Sequence, residues 1–262
     1  YLMMKYVSKY YPEIKLAGNI SKIWGFKNFN FSKLNFNDKY PFVYQYTARQ
    51  FIDQALNTRS DSLSNFNRKI AGKYKAGLGL RYLADYIGDS IISASFQEFY
   101  LKNNLKYAKS DDFKKIVSSK TTKDISWFFE DYLKTNKKID YTIKKAIIKD
   151  DSVYVTIKNK RNMTAPVALY GLKNKQVKFK KWLTNIDSTK TIAIPKNGFN
   201  RVSLNFENSY PEFNSMDNWK KVGKNILNKP IQFKFFKDIN DPYYNQLYIQ
   251  PVSYTHLRAH ET

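Results

Sequence analysis

An α+β chain of more than one domain is predicted by two observations. Up to about Asn136 the apolar residues recur at helical spacing, and from about Ile139 the period falls to two. Helices in one run followed by strands in another point to a helical part followed by a sheet part. Punctuation agrees, because the residues between the periodic runs are Gly, Asn, Asp, Ser and Pro, the usual turn formers.

Tyr1-Leu2-Met3-Met4-Lys5-Tyr6-Val7 has helical spacing with no capping residue ahead of it, so the chain is read as a fragment entered partway through a helix. Ile92, Phe96, Phe99 and Tyr100 follow i, i+4, i+7, i+8, and Ile125, Phe128, Phe129, Tyr132 and Leu133 follow i, i+3, i+4, i+7, i+8. Each set predicts one buried stripe. Gly88-Asp89-Ser90 is expected to break two helices, Ser110 to cap the helix carrying Phe113, Ile116 and Val117, and Asp124 to cap the next. Residues 1–136 are therefore read as a helical module.

Beyond it, Val153, Val155 and Ile157 alternate with Tyr154, Thr156 and Lys158. Val177 and Phe179 alternate with Lys178 and Lys180, and Val202, Leu204 and Phe206 with Ser203 and Asn205. Turns are expected at Lys149-Asp150-Asp151-Ser152, Gly171-Leu172-Lys173-Asn174, Asn185-Ile186-Asp187-Ser188 and Pro195-Lys196-Asn197-Gly198. So many short strands in residues 137–210 suggest an antiparallel β-sandwich. Lys175, Lys178, Lys180 and Lys181 then form the wet face of one hairpin. Residues 211–251 read as a linker and the start of a further domain, in which Ile231, Phe233 and Phe235 alternate again after Asn228-Lys229-Pro230.

Residues 252–262 back-translate into a transposase-type library adapter and are set aside as an artefact. They hold the only histidines, His256 and His260, and the chain has no Cys, so residues 1–251 contain neither residue type. A histidine-ligated zinc site, a Ser/His/Asp triad and a Cys/His dyad are thereby excluded within them. The net charge of +23 raises a nucleic-acid hypothesis. Most of that charge is Lys spread along the whole length, whereas phosphate and base readout favours clustered Arg forks, so no nucleic-acid partner is expected. No apolar run is long enough to cross a bilayer.

Two segments carry a family resemblance. Ala71-Gly72-Lys73-Tyr74-Lys75-Ala76-Gly77-Leu78-Gly79-Leu80-Arg81-Tyr82-Leu83 resembles the Tyr-x-x-Gly helix start of M1-family zinc metallopeptidases (gluzincins), where Tyr-Glu-Lys-Gly is usual. Lys123-Asp124-Ile125-Ser126-Trp127-Phe128-Phe129-Glu130-Asp131-Tyr132-Leu133 is similar to the Asp-Leu-x-Trp-Phe-Phe-x-x-Trp/Tyr-Leu helix downstream of it in that family. Order and spacing both fit. The likeness looks closest to M1-like peptidases of Bacteroidetes-type bacteria, in which Leu56-Asn57-Thr58-Arg59-Ser60-Asp61-Ser62-Leu63 also has counterparts.

The resemblance implies the C-terminal helices of a gluzincin catalytic domain followed by a β-sandwich, covering roughly residues 1–210. It further implies a peptide or protein substrate and Zn2+ in the full-length parent, where His-Glu-x-x-His and a later Glu hold the metal and a zinc-activated water attacks the peptide bond. None of those ligands is found here, so this chain alone is expected to bind no zinc and to be inactive. The catalytic position that carries over is Tyr74, whose family counterpart donates its phenolic O–H to the oxyanion. The plain alternative is one more core tyrosine among 21. Lys75 and Ala76 depart from the family pattern. An exported location, periplasmic or at the cell surface, is implied by the resemblance alone.

Two other functions stay open: a catalytically dead peptidase relative serving as a binding scaffold, and a basic, aromatic-rich nucleic-acid binder. Asp238-Ile239-Asn240-Asp241 lacks the Gly and distal Glu of a calcium loop and reads as an Asx turn.

Overall fold

The computed structural model describes residues 1–161, 163–223, 227–239, 241 and 243–249. The adapter-like tail, with His256 and His260, lies outside them, as does Asn240. Helices come first: α1 (Leu2–Tyr10), a single turn α2 (Asn30–Lys33), α3 (Lys39–Arg49), α4 (Gly72–Ile87), α5 (Asp89–Asn103) and α6 (Ser110–Ser118). Two π-helical segments, Asn67–Ala71 and Trp127–Tyr132, precede α4 and follow α6. Among the described residues no helix is long and apolar enough to cross a membrane.

Gly88 separates α4 from α5 as the sequence predicts. On α5 the buried stripe is Ile92 and Ser95, with Phe96 and Phe99 packing on Phe113 at 4.9 and 5.5 Å between ring centroids. Tyr100, expected on that stripe, is exposed. At 3.6 residues per turn it sits about 80° round the helix from Ile92, beyond the contact with α6. Ser110 does not cap α6. It is the first helical residue, and Asp112 provides the cap by accepting the Lys109 N–H at 2.9 Å. Asp124 fulfils its expected role, accepting the Ser126 N–H at 2.8 Å. Ile125, Trp127, Phe128, Phe129 and Tyr132 are all buried. The π-helical winding and cover from several sides bury more of this segment than one helical stripe would.

The strands make two antiparallel sheets. One orders β1 (Tyr141–Lys149), β2 (Ser152–Asn159) and β5 (Thr189–Pro195). The other orders β4 (Gln176–Leu183), β3 (Val167–Lys173), β6 (Arg201–Leu204) and β7 (Trp219–Lys221). The fold is thus mixed helix and antiparallel sheet. Val153, Val155 and Ile157 are buried and their neighbours Tyr154 and Lys158 exposed, the predicted alternation.

Alternation fails on β6, where Val202, Ser203 and Leu204 are all buried, as is Asn205. The strand lies between β3 and β7 with both of its own faces buried, so neither set of its side chains meets water. One turn also shifts. Gly171 and Leu172 belong to β3, and the chain reverses at Asn174-Lys175, both with positive φ. Gly171 is needed inside the strand because a Cβ there would meet the Phe199 ring at 2.6 Å.

Cross-strand register puts Tyr170 opposite Lys180 and Ala168 opposite Trp182, on the face turned to α4. Trp182 lies 6.1 Å from Tyr82 and 5.3 Å from Tyr86, and the Tyr82 hydroxyl donates to the Pro166 carbonyl. Lys175, Lys178, Lys180 and Lys181 are all exposed, as expected, and Lys180 in addition bridges Asp85 of α4 at 3.0 Å and Glu207 at 2.8 Å. A single hydrophobic cluster therefore runs from α4 and the π-helical segment through both sheets.

β8 (Ile231–Lys234) and β9 (Asn245–Tyr248) form a separate parallel pair with Ile231, Phe233 and Leu247 exposed. Asp238 beside it accepts the N–H groups of Asn30 at 2.5 Å, Phe31 at 3.3 Å and Ile239 at 2.7 Å, so backbone donors occupy the carboxylate.

Gly171→Ala is expected to destabilise the protein by about 1–3 kcal/mol through overpacking, whereas Gly25→Ala, where a Cβ meets nothing within 4 Å, should change stability little. Urea denaturation of both variants against the parent checks this; equal midpoints would refute the close packing of Phe199.

Candidate functional site

Tyr74 lies in the first turn of α4, but it does not open the helix as the motif led us to expect. The chain is already helical through the π-helical turn Asn67–Ala71. The tyrosine is half-buried and meets Tyr40 edge-on, with ring centroids 4.7 Å apart. Both belong to a small apolar cluster with Met4, Tyr44, Ala48 and Leu78. Burial, and then the nearby Tyr74, raise the Tyr40 phenol above its ordinary pKa. The Tyr74 hydroxyl has no hydrogen-bond partner among the described residues. Tyr74 is thus neither a fully enclosed core residue nor a member of a polar network.

The two family-like segments meet in space. The Tyr132 ring covers Gly79, where an added Cβ would lie 2.2 Å from a ring carbon, and the Tyr132 hydroxyl donates to the Lys75 carbonyl at 2.6 Å. Only a glycine lets the ring approach this closely. Burial raises the Tyr132 phenol well above its usual pKa, so it acts as a donor throughout the accessible pH range. The bond holds the first turn of α4, one residue from Tyr74.

Lys75, where the family pattern has an acid, is 3% exposed. Its ammonium lies 3.3 Å from Asp53 Oδ2 and 3.2 Å from the Gln54 carbonyl. Lys138 reaches both Asp53 oxygens at 2.6 Å, and Asn136 donates to the Asp53 carbonyl at 2.7 Å. Burial lowers the Lys75 pKa; Asp53 opposes that shift and the charge of Lys138 adds to it. Asp53 and Lys138 were not foreseen. The available signal was that Lys75 falls on the stripe of Leu78, Gly79, Tyr82 and Tyr86, and a charge on an apolar stripe requires a buried counter-ion.

A second unforeseen group is Glu212, which is 1% exposed. It accepts the Tyr141 N–H at 3.1 Å and the side-chain amides of Asn218 at 2.6 Å and Asn205 at 3.4 Å. Burial nevertheless pushes its carboxyl up to about 8. Along the Tyr74 side of α4, Arg81 and Asp85 follow at i+7 and i+11 and line a cleft of about 500 Å³ with Lys5, Asn37, Asp89 and Glu207. No group of three His, Cys, Asp or Glu able to hold a metal ion occurs among the described residues.

No protein-family profile matches the chain, and no curated protein matches it. Among solved structures it is similar to the crystal structure of Legionella pneumophila aminopeptidase A in complex with aspartic acid, at 18% identity and a TM-score of 0.47. The match covers 54% of this chain and 17% of that one.

Two predictions follow from this geometry. Tyr132→Phe removes the second donor to the Lys75 carbonyl, which keeps the Gly79 N–H of its own helix, and should cost about 0.5–1.5 kcal/mol, while Tyr74→Phe should stay within about 0.5 kcal/mol of the parent in thermal unfolding. For Glu212 the folded pKa of about 8 lies above the unfolded value of 4.5, so the folded state binds the extra proton between them. Its contribution to stability is full below the unfolded value and is lost as pH rises to about 8. Glu212→Gln should flatten melting temperature against pH across that window. The Asn218 Oδ1, buried without a partner, can accept the new amide once its own amide turns. A variant with the parent's pH slope would show that Glu212 is not responsible.

Proposed function

We propose that this chain is part of a zinc-dependent metallopeptidase of the M1 type, in which a zinc-activated water hydrolyses peptide bonds. The family's zinc-binding histidines have no counterpart in residues 1–251, which contain no His. The contribution of this chain to the chemistry is Tyr74, whose neutral O–H donates to the oxyanion that develops on the scissile carbonyl. The contact of Tyr132 with Gly79 and the Lys75 carbonyl carries the reading, since it joins the two family-like segments that are 57 residues apart at those atoms. The Tyr74 hydroxyl, with no hydrogen-bond partner among the described residues, is free to donate to a substrate, and a charged cleft, not lined by Tyr74 itself, begins two turns further along the same side of α4.

The chain itself should show no aminoacyl-arylamide hydrolysis with added zinc. In a zinc-loaded parent enzyme, Tyr74→Phe should lower kcat about 100-fold with little change in KM. Zinc-dependent turnover by the chain alone would overturn the assignment of the metal site to other residues. An unchanged kcat in the parent would reduce Tyr74 to packing and favour the binding-scaffold reading.

A further inference from the structure

The Asp53 cluster is bordered by a cleft of about 270 Å³ that Lys138, Lys137, Asn136, Phe51 and Arg161 also line. Arg161 lines a second hollow of about 400 Å³ as well, with Arg49, Asp140 and Lys160. Charges around the two do not balance. Lys137 pairs with Asp131 at 2.6 Å and Lys160 with Asp217 at 3.0 Å. Asp53 is shared by Lys75 and Lys138. Asp140 Oδ2 approaches Arg161 Nε only to 3.6 Å, and the Arg49 Nε–H donates to the Phe213 carbonyl at 3.2 Å. Six cations thus face four carboxylates, an excess of two.

In so basic a chain an excess at the surface is ordinary, but part of this one is buried. Lys75 and Lys138 are 3% and 8% exposed and have one carboxylate between them. An ammonium out of water without its own counter-ion is costly, and an anion in the adjoining cleft would offset that cost. Arg161 is suited to hold one. Its guanidinium lies 4.1 Å over the Phe213 ring, which fixes the plane of a fork that matches paired oxygens.

We infer that the cleft between Phe51, Lys138 and Arg161 binds a small doubly charged oxyanion, of the phosphate or dicarboxylate type, with Arg161 as the principal contact. The site does not depend on the peptidase reading. Calorimetric titration of the whole chain with inorganic phosphate, and separately with malonate, at an ionic strength held constant by sodium chloride, tests it. One saturable site is expected for at least one of the two, and which of them binds identifies the ligand type. Arg161→Gln should weaken that binding at least about tenfold, as loss of charged hydrogen bonds does. Arg161→Lys should retain the charge but bind more weakly than the parent, because the fork is gone. Lys178→Gln, on the solvated part of the hairpin, should bind like the parent, and melting curves establish that each variant is folded. Absence of saturable binding of either anion, or equal binding by Arg161→Gln and Lys178→Gln, overturns the proposal.

Discussion

Helix α4 can be buried on the side that carries Lys75 only if that ammonium meets a carboxylate, and Asp53 provides it. The loop carrying Asp53 is thereby held against α4, and Asn136 and Lys138 are drawn to the same carboxylate and its backbone. Residues from three distant parts of the chain converge on one buried charge. Removal of Asp53 would leave two ammonium groups in a low-dielectric interior, a change that costs about 3–5 kcal/mol for buried pairs in general. The same point ends the helical half, because β1 begins three residues beyond Lys138.

From this anchor the helix faces different surroundings on each side. Gly79 receives the Tyr132 ring, Tyr82 and Tyr86 receive Trp182 from the sheet, and Asp85 receives Lys180. Tyr74 and Arg81 share the side that carries Asp85. The tyrosine packs against Tyr40, and Arg81 and Asp85 line the cleft of about 500 Å³. A helix fixed so firmly can hold a phenol at a constant position, which an oxyanion donor needs: its effect depends on being aligned before charge develops. Tyr74 gains that rigidity while its own hydroxyl remains uncommitted.

Much of the fold is legible in the sequence because periodicity reports which side of an element is dry. The change of period near Asn136, the break at Gly88 and the alternation on β2 all reappear in the structure. Misreadings have local causes. Tyr100 lies just outside the contact arc, the cap of α6 comes from a carboxylate two residues on, and Gly171 permits close approach within a strand instead of a turn. Alternation vanished on β6 because an inner strand covered on both faces has no polar side to alternate with.

The sequence by itself determined the order of helices before strands, their approximate limits, and the absence of His and Cys from residues 1–251. Those properties depend on local spacing and composition, which a one-dimensional pattern records. Tertiary structure alone decided that Lys75 and Lys138 share Asp53, that Glu212 is enclosed with its carboxyl raised, and that Arg161 lies flat on Phe213 between two clefts. Each joins residues far apart in the chain. Spacing marks Lys75 as a charge on an apolar stripe, but the partner it meets, and the burial of the other groups, arise only when packing brings the segments together.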